Sequence, residues 1–89
     1  MYFVYMIKNE NGDLYIGVTE NPSRRLFEHN SKRGALFTRR GACFTIVFLE
    51  NYETLGEARQ REVQIKKWRR EKKDLLIEKY SRGQETKMK

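Results

Sequence analysis

The sequence predicts an α+β domain: a small three-stranded antiparallel or mixed sheet flanked by helices, in the order β-β-α-β-α-α. Three observations carry this. Two runs rich in β-formers, residues 2–7 and 14–18, are separated by a polar stretch ending in Asn11-Gly12, a hairpin signal. Asn21-Pro22 has the form of a helix N-cap followed by the first helical residue. Thr54-Leu55-Gly56-Glu57 has the spacing of a capping box, with Thr54 and Glu57 in the reciprocal positions.

Taken in order, Tyr2 to Ile7 is the first strand and Leu14 to Val18 the second. The helix opened by Pro22 is expected to run to about Asn30, with Gly34 in the loop beyond it. A third strand spans roughly Phe44 to Glu50, and Cys43 is expected to be a buried strand residue. The capping box opens a helix to about Trp68 or Arg69, with an apolar stripe through Ala58, Ile65 and Trp68. Leu75, Leu76 and Tyr80 repeat at helical spacing. The helix therefore either continues to residue 80 or breaks in the charged stretch Arg69-Arg70-Glu71. Residues 1–81 form a single domain, and residues 82–89 are a polar tail expected to be disordered.

At 89 residues the chain has room for one thin core, so a polar residue inside it needs a reason. The first residues read as a strand rather than a signal peptide, and no apolar run approaches the roughly 20 residues of a membrane-spanning helix. One cysteine, Cys43, cannot form an internal disulfide or build a zinc site alone. A cytoplasmic protein with no membrane partner is expected, either a monomer or a weak dimer. Net charge is +7, and the excess is clustered. Six basic residues and one acid, Glu28, lie between Arg24 and Arg40; eight basic residues and two acids, Glu62 and Glu71, lie from Arg59 to Lys73. Such clusters attract polyanions, although they also serve simply to keep a small protein in solution.

Several side chains are candidates for chemistry. Arg25 and His29 stand four apart and project from one helix face. Arginine offers phosphate a fixed fork, and histidine donates a hydrogen bond or moves a proton. Glu62 falls within the apolar stripe, where a carboxylate must either pair with a cation or hold a metal, magnesium being the fit for a hard oxygen donor. Tyr5 and Tyr15 share a sheet face if the hairpin loop is Glu10-Asn11-Gly12, which pairs Tyr5 with Gly17 and leaves a hollow beside Tyr5. A two-residue Asn-Gly loop would put them on opposite faces. Strand tyrosines serve packing as well as chemistry.

Together these residues are similar to the GIY-YIG nuclease superfamily from Tyr2 to about Tyr80. The second signature is present as Tyr15-Ile16-Gly17; the first appears as Val4-Tyr5-Met6, keeping its tyrosine and losing the glycine and isoleucine. Arg25 and His29 follow at the family's helix spacing. Arg61-Glu62 ahead of Ile65-Lys66-Lys67-Trp68 resembles the helix bearing the family's metal-binding glutamate. Phe37-Thr38-Arg39 and the Lys-Lys-Trp run resemble the small bacterial members that consist of this domain alone. The resemblance implies phosphodiester hydrolysis with Mg2+ or Mn2+ on a nucleic acid, DNA being the expected form. It assigns catalytic roles to Tyr5, Tyr15, Arg25, His29 and Glu62, with Glu62 as metal ligand. A tyrosine acting as base needs nearby positive charge, since a free phenol ionises only near pH of about 10. Lys32, Arg33, Arg39 and Arg40, with Lys66 and Lys67, would contact the nucleic-acid backbone. The alternatives are a binding module with the same fold and little or no catalysis, and a small structural protein whose charge serves RNA packing.

Overall fold

The computed structural model describes residues 1–37 and 43–87, with side chains described for 1–31 and 43–87. The elements follow the expected order: β1 Tyr2–Lys8, β2 Leu14–Thr19, α1 Pro22–Phe37, β3 Thr45–Tyr52, α2 Leu55–Lys66 and α3 Arg70–Ser81. The strands form one sheet, ordered β2-β1-β3 and antiparallel at both pairings.

The turn between β1 and β2 decides the register. Gly12 adopts φ 85°, in the left-handed region that a side chain resists. Its N–H donates to the Asn9 carbonyl at 3.0 Å, and Asn9 N–H donates to the Asp13 carbonyl at 3.2 Å. The two side chains brace the turn: Asn9 Nδ2 donates to Asp13 Oδ2 at 3.0 Å, and Asp13 N–H donates to Asn9 Oδ1 at 2.9 Å. The loop is thus the three-residue form. Tyr5 lies opposite Gly17 and Ile7 opposite Tyr15, so both tyrosines occupy one face. On the other side of β1, Met6 pairs with Phe48 but Ile7 pairs with Ile46. This irregularity sends Phe48 toward Val4 and Met6 while Ile46 joins Tyr5 and Ile7.

Each face is covered by helix. On one, Val4, Met6 and Phe48 pack with Ala58 and Ile65 of α2 and Leu76 of α3. Burying side chains of this size contributes about 1.5–3 kcal/mol each. On the other, Tyr5, Ile7 and Phe44 pack with Leu26 of α1, Ile46 and Leu49. The sheet is therefore the middle layer, and the tyrosine face looks toward α1.

Two expectations are corrected, the extent of α1 and the burial of Cys43. Helix α1 does not end near Asn30 but continues through Gly34 to Phe37; one interior glycine costs only about 1 kcal/mol relative to alanine. Asn30, well inside that helix, instead secures the approach to β3. Its Oδ1 accepts from Phe44 N–H at 2.8 Å and its Nδ2 donates to the Phe44 carbonyl at 3.1 Å. Cys43 is exposed rather than buried, because β3 begins only at Thr45. Its N–H donates to Glu10 Oε1 at 3.0 Å.

The helical stretch after the Thr54 cap is broken: α2 ends at Lys66 and α3 starts at Arg70, just within the charged stretch. Residues 82–87 contact the sheet and α2. The Thr86 carbonyl accepts from Arg61 Nη2 at 2.9 Å, and Lys87 Nζ lies 3.2 Å from Asn51 Oδ1 and 4.4 Å from the Tyr52 ring centroid. No helix among the described residues is long and apolar enough to cross a membrane.

Candidate functional site

Tyr5 forms the floor of the site. A β-carbon on Gly17 would stand 2.6 Å from the Tyr5 hydroxyl oxygen and 2.9 Å from its Cε1 and Cζ. Only the missing side chain of Gly17 lets the phenol lie across β2. From there the Tyr5 hydroxyl reaches His29 Nε2 at 3.2 Å. Which of the two donates follows from the imidazole tautomer.

The His29 ring sits among aromatic neighbours. Its centroid is 4.8 Å from that of Tyr15 and 6.2 Å from that of Phe44, and the Phe44 ring meets Tyr15 edge-on at 6.4 Å. The Asn30 carboxamide holds the Phe44 backbone beside α1, and so fixes the ring that backs both His29 and Tyr15. Tyr5 is buried, whereas Tyr15 is 47% exposed and open to a ligand.

Arg25 stands one turn before His29 on α1. The Tyr5 phenol, and after it the Glu28 carboxylate, hold its guanidinium pKa above the ordinary value. Its Nη1 is 3.3 Å from Glu28 Oε1, and Arg24 Nε is 3.5 Å from Glu28 Oε2. These pairs are half-exposed, so a phosphate can displace the carboxylate at small cost. The four α1 and hairpin residues singled out in the sequence thus come together.

Glu62 lies on α2, the helix whose Ala58 and Ile65 pack against the other face of the sheet. It is buried as the stripe predicts, with Oε1 3.3 Å from Arg59 Nη1 and Oε2 3.0 Å from Lys66 Nζ. Magnesium accepts a single carboxylate when water and phosphate oxygens complete its octahedron. Glu62 suits that role and no fuller one. Among the described residues no group of three or more His, Cys, Asp or Glu side chains could enclose an ion. Of the expected backbone contacts, Lys66 and Lys67 are exposed on and just past α2. The Lys32 and Arg33 side chains, and Arg39 and Arg40 entirely, lie outside the described residues.

Arg61, quoted in the sequence only beside Glu62 and given no role there, is buried. It lies against Glu50, with Nε 2.9 Å from Oε1 and Nη2 3.2 Å from Oε2, and it donates to Gln64 Oε1 at 2.6 Å. Tyr52 donates to the same Glu50 Oε1 at 2.8 Å. A signal was present, because Ala58, Arg61, Ile65 and Trp68 follow the 3-4-3 spacing of a helix seam, more regularly than Glu62 does.

The GIY-YIG catalytic domain model matches residues 1–74. That span runs from β1 into α3 and includes every residue of the site. The chain belongs to the GIY-YIG family. Within this GIY-YIG domain the two signature segments are adjacent strands, with Tyr5 of the first directly opposite Gly17 of the second. A UPF0213 protein of Bacillus pumilus (strain SAFR-032) is 40% identical over 77 residues, covering 86% of this chain and 79% of its own length. One from Staphylococcus aureus (strain Mu3) is 40% identical over 76 residues, covering 85% of this chain and 93% of its own. The solution structure of a UPF0213 protein from Bacillus halodurans superposes with a TM-score of 0.56. It is 32% identical, over 88% of this GIY-YIG chain and 84% of that one.

Proposed function

We propose that this protein binds nucleic acid, DNA being the expected form, and holds one backbone phosphate at the cluster of Arg25, His29, Tyr5 and Tyr15. The observation that carries the reading is the 3.2 Å approach of the Tyr5 hydroxyl to His29 Nε2 beside the Arg25 guanidinium. Arg25 supplies a planar fork matched to two phosphate oxygens. His29 supplies a second donor, held in place by Tyr5 and Phe44. Tyr15 presents an accessible hydroxyl, or a ring face on which an unpaired base can stack. The net charge of +7 steers the polyanion in, and contacts of this kind grip the backbone without reading its sequence.

Phosphodiester hydrolysis is the second reading. It is favoured by the grouping of the two tyrosines, arginine and histidine at one point, in a chain of the GIY-YIG family. Arg25 would offset charge on the scissile phosphate, and Tyr15, as the phenolate left once its own proton has passed to His29, would orient and deprotonate the attacking water. His29, held by Tyr5, would give the proton it took from Tyr15 to the leaving oxygen. Glu62 would hold Mg2+ or Mn2+ in place of Arg59 and Lys66, and the ion would add positive charge at the phosphate oxygens.

Both readings are tested by one panel of labelled single-stranded, duplex and branched DNA and RNA, with and without magnesium. Wild type is compared with Arg25→Ala, Tyr15→Phe and Glu62→Ala. Binding weakened about tenfold or more by Arg25→Ala supports the phosphate site. Metal-dependent cutting that Tyr15→Phe and Glu62→Ala both lose while still binding adds hydrolysis. No wild-type binding to any of these polymers at low salt sinks the proposal.

A further inference from the structure

Most cations whose side chains are described on α1 and α2 are already matched to acids. Arg24 and Arg25 share Glu28, Arg59 and Lys66 share Glu62, and Arg61 takes Glu50. Arg70 pairs with Asp74 and Arg82 with Glu78. Lys8, Lys79 and Lys87 are scattered cations outside these pairs, whereas a group of such cations gathers at the elbow between α2 and α3. Lys67, Arg69, Lys72 and Lys73 join none of the ion pairs among the described residues, and neither does the acid in their midst, Glu71. Neighbouring cations that outnumber the acid among them repel one another and carry a standing electrostatic cost, which a polyanion relieves.

The elbow is also held in shape. Lys67 caps the end of α2, and Arg69 stands at the start of α3, so the helix breaks within the stretch that bears the charge. Trp68 lies at the bend, half-buried, with Lys72 Nζ 4.3 Å and Arg61 Cζ 5.3 Å from its ring centroid. Arg70 Nη2 donates to the Gly12 carbonyl at 2.8 Å, tying the elbow to the turn of the β1–β2 hairpin. That hairpin carries Tyr15 on its other face, one ladder position from its turn-side end.

We infer that this elbow is a second nucleic-acid contact, in which Lys67, Arg69 and Lys73 bind backbone phosphates several nucleotides away from the one held at Arg25 and His29. This rests on the nucleic-acid reading above and goes beyond it by setting a minimum ligand length. The molecule measures 26 and 23 Å across its shorter axes. A strand advances about 3.4 Å per nucleotide, so a polymer touching both surfaces needs roughly 7 nucleotides or more. Phosphate chemistry, rather than an acidic protein, is favoured by mixed lysine and arginine around an aromatic ring, on a braced turn tied to the hairpin that carries Tyr15.

The test compares two triple variants of the full chain. One is Lys67→Gln with Arg69→Gln and Lys73→Gln; the other, equal in charge removed, is Lys8→Gln with Lys79→Gln and Arg82→Gln. Thermal melts followed by circular dichroism confirm that each is folded, and Lys73→Gln alone serves if the first triple is not. Binding is measured against salt for a duplex of about 20 base pairs and for a trinucleotide. The elbow triple is expected to reduce the slope of log K against log salt on the duplex by about 2.7, at roughly 0.9 per phosphate contact. For Lys73→Gln alone the expected reduction is about 0.9. The control triple should reduce it far less, and trinucleotide binding should be unchanged in both. Equal slopes for the two triples would overturn the elbow while leaving the phosphate site standing. Wild type that binds neither ligand would overturn both, as would binding to anionic lipid vesicles without binding to duplex.

Discussion

The hydroxyl of Tyr5 lies 2.6 Å from where a β-carbon on Gly17 would be, so the two strands share a space that one side chain alone can fill. Gly17→Ala should drive the phenol from its hollow and break its contact with His29. A stability loss of about 1–3 kcal/mol is expected by urea unfolding, as for other overpacked positions. Gly56→Ala is the contrast. No atom lies within 4 Å of its added carbon, and the change should stabilise α2 by about 0.4–1 kcal/mol. Equal effects at the two glycines would contradict the close approach.

Tyr5→Phe retains the ring and removes the contact with His29. It should cost about 0.5–1.5 kcal/mol, whereas Tyr15→Phe, at an exposed position, should stay within about 0.5 kcal/mol of wild type. On the nucleic-acid reading, oligonucleotide binding should weaken in Tyr5→Phe, which releases His29, and persist in Tyr15→Phe, which keeps the exposed ring. A Tyr15→Phe variant less stable than Tyr5→Phe would reverse the assignment of inner and outer tyrosine.

These tyrosines show where the sequence was legible and where it stopped. Their presence, the Gly17 gap and the Asn11-Gly12 turn were all readable, but the shared face hung on one residue of loop length. The side-chain brace between Asn9 and Asp13 settles that length, and it is a tertiary detail no propensity reveals. Cys43 was misplaced for a similar reason: hydrophobic continuity suggested strand, while the Asn30 carboxamide holds Phe44 ahead of β3. Glu62 is legible as buried, and its cationic neighbours Arg59 and Lys66 stand three before and four after it on the same helix. The helix spacing places Arg61 on the seam, but its partner Glu50 lies on β3, a pairing that only packing makes.

Asn30 should be sensitive for the same reason. Asn30→Ala leaves the Phe44 N–H and carbonyl without their partner and should cost about 1–3 kcal/mol. Asn30→Asp keeps the acceptor for Phe44 N–H and should fall between alanine and wild type. The His29 ring protons, followed by NMR, should move in Asn30→Ala as Phe44 shifts. Unmoved signals would mean that Phe44 is held by other contacts.

Stability should fall in acid through Glu50. Burial by itself would raise this carboxyl's pKa, but hydrogen bonds from Arg61, Thr86 and Tyr52, with the Arg61 charge, outweigh it and leave the group below its ordinary 4.5. The unfolded chain therefore takes up the proton first. The contribution of Glu50 is complete above pH 4.5 and is lost as pH drops through the lower folded value. Glu50→Gln should flatten that acid limb and, by stranding buried Arg61, lower neutral-pH stability by about 3–5 kcal/mol. Unfolding curves between pH 2.5 and 7 (roughly the span over which carboxylates titrate) would reveal a parallel limb in the variant if Glu50 is not responsible.

The central position of β1 has a consequence for how the chain acquires its structure. Tyr2 is paired with Tyr52, so the middle strand must wait for most of the polypeptide before its second edge is covered. During synthesis the β1–β2 hairpin would leave the ribosome with Val4 and Met6 uncovered until α2 follows, a non-local closure that slows folding. Until then the open flank of β1 is a template for pairing with other nascent copies, which makes the interval before β3 arrives the period of greatest aggregation risk.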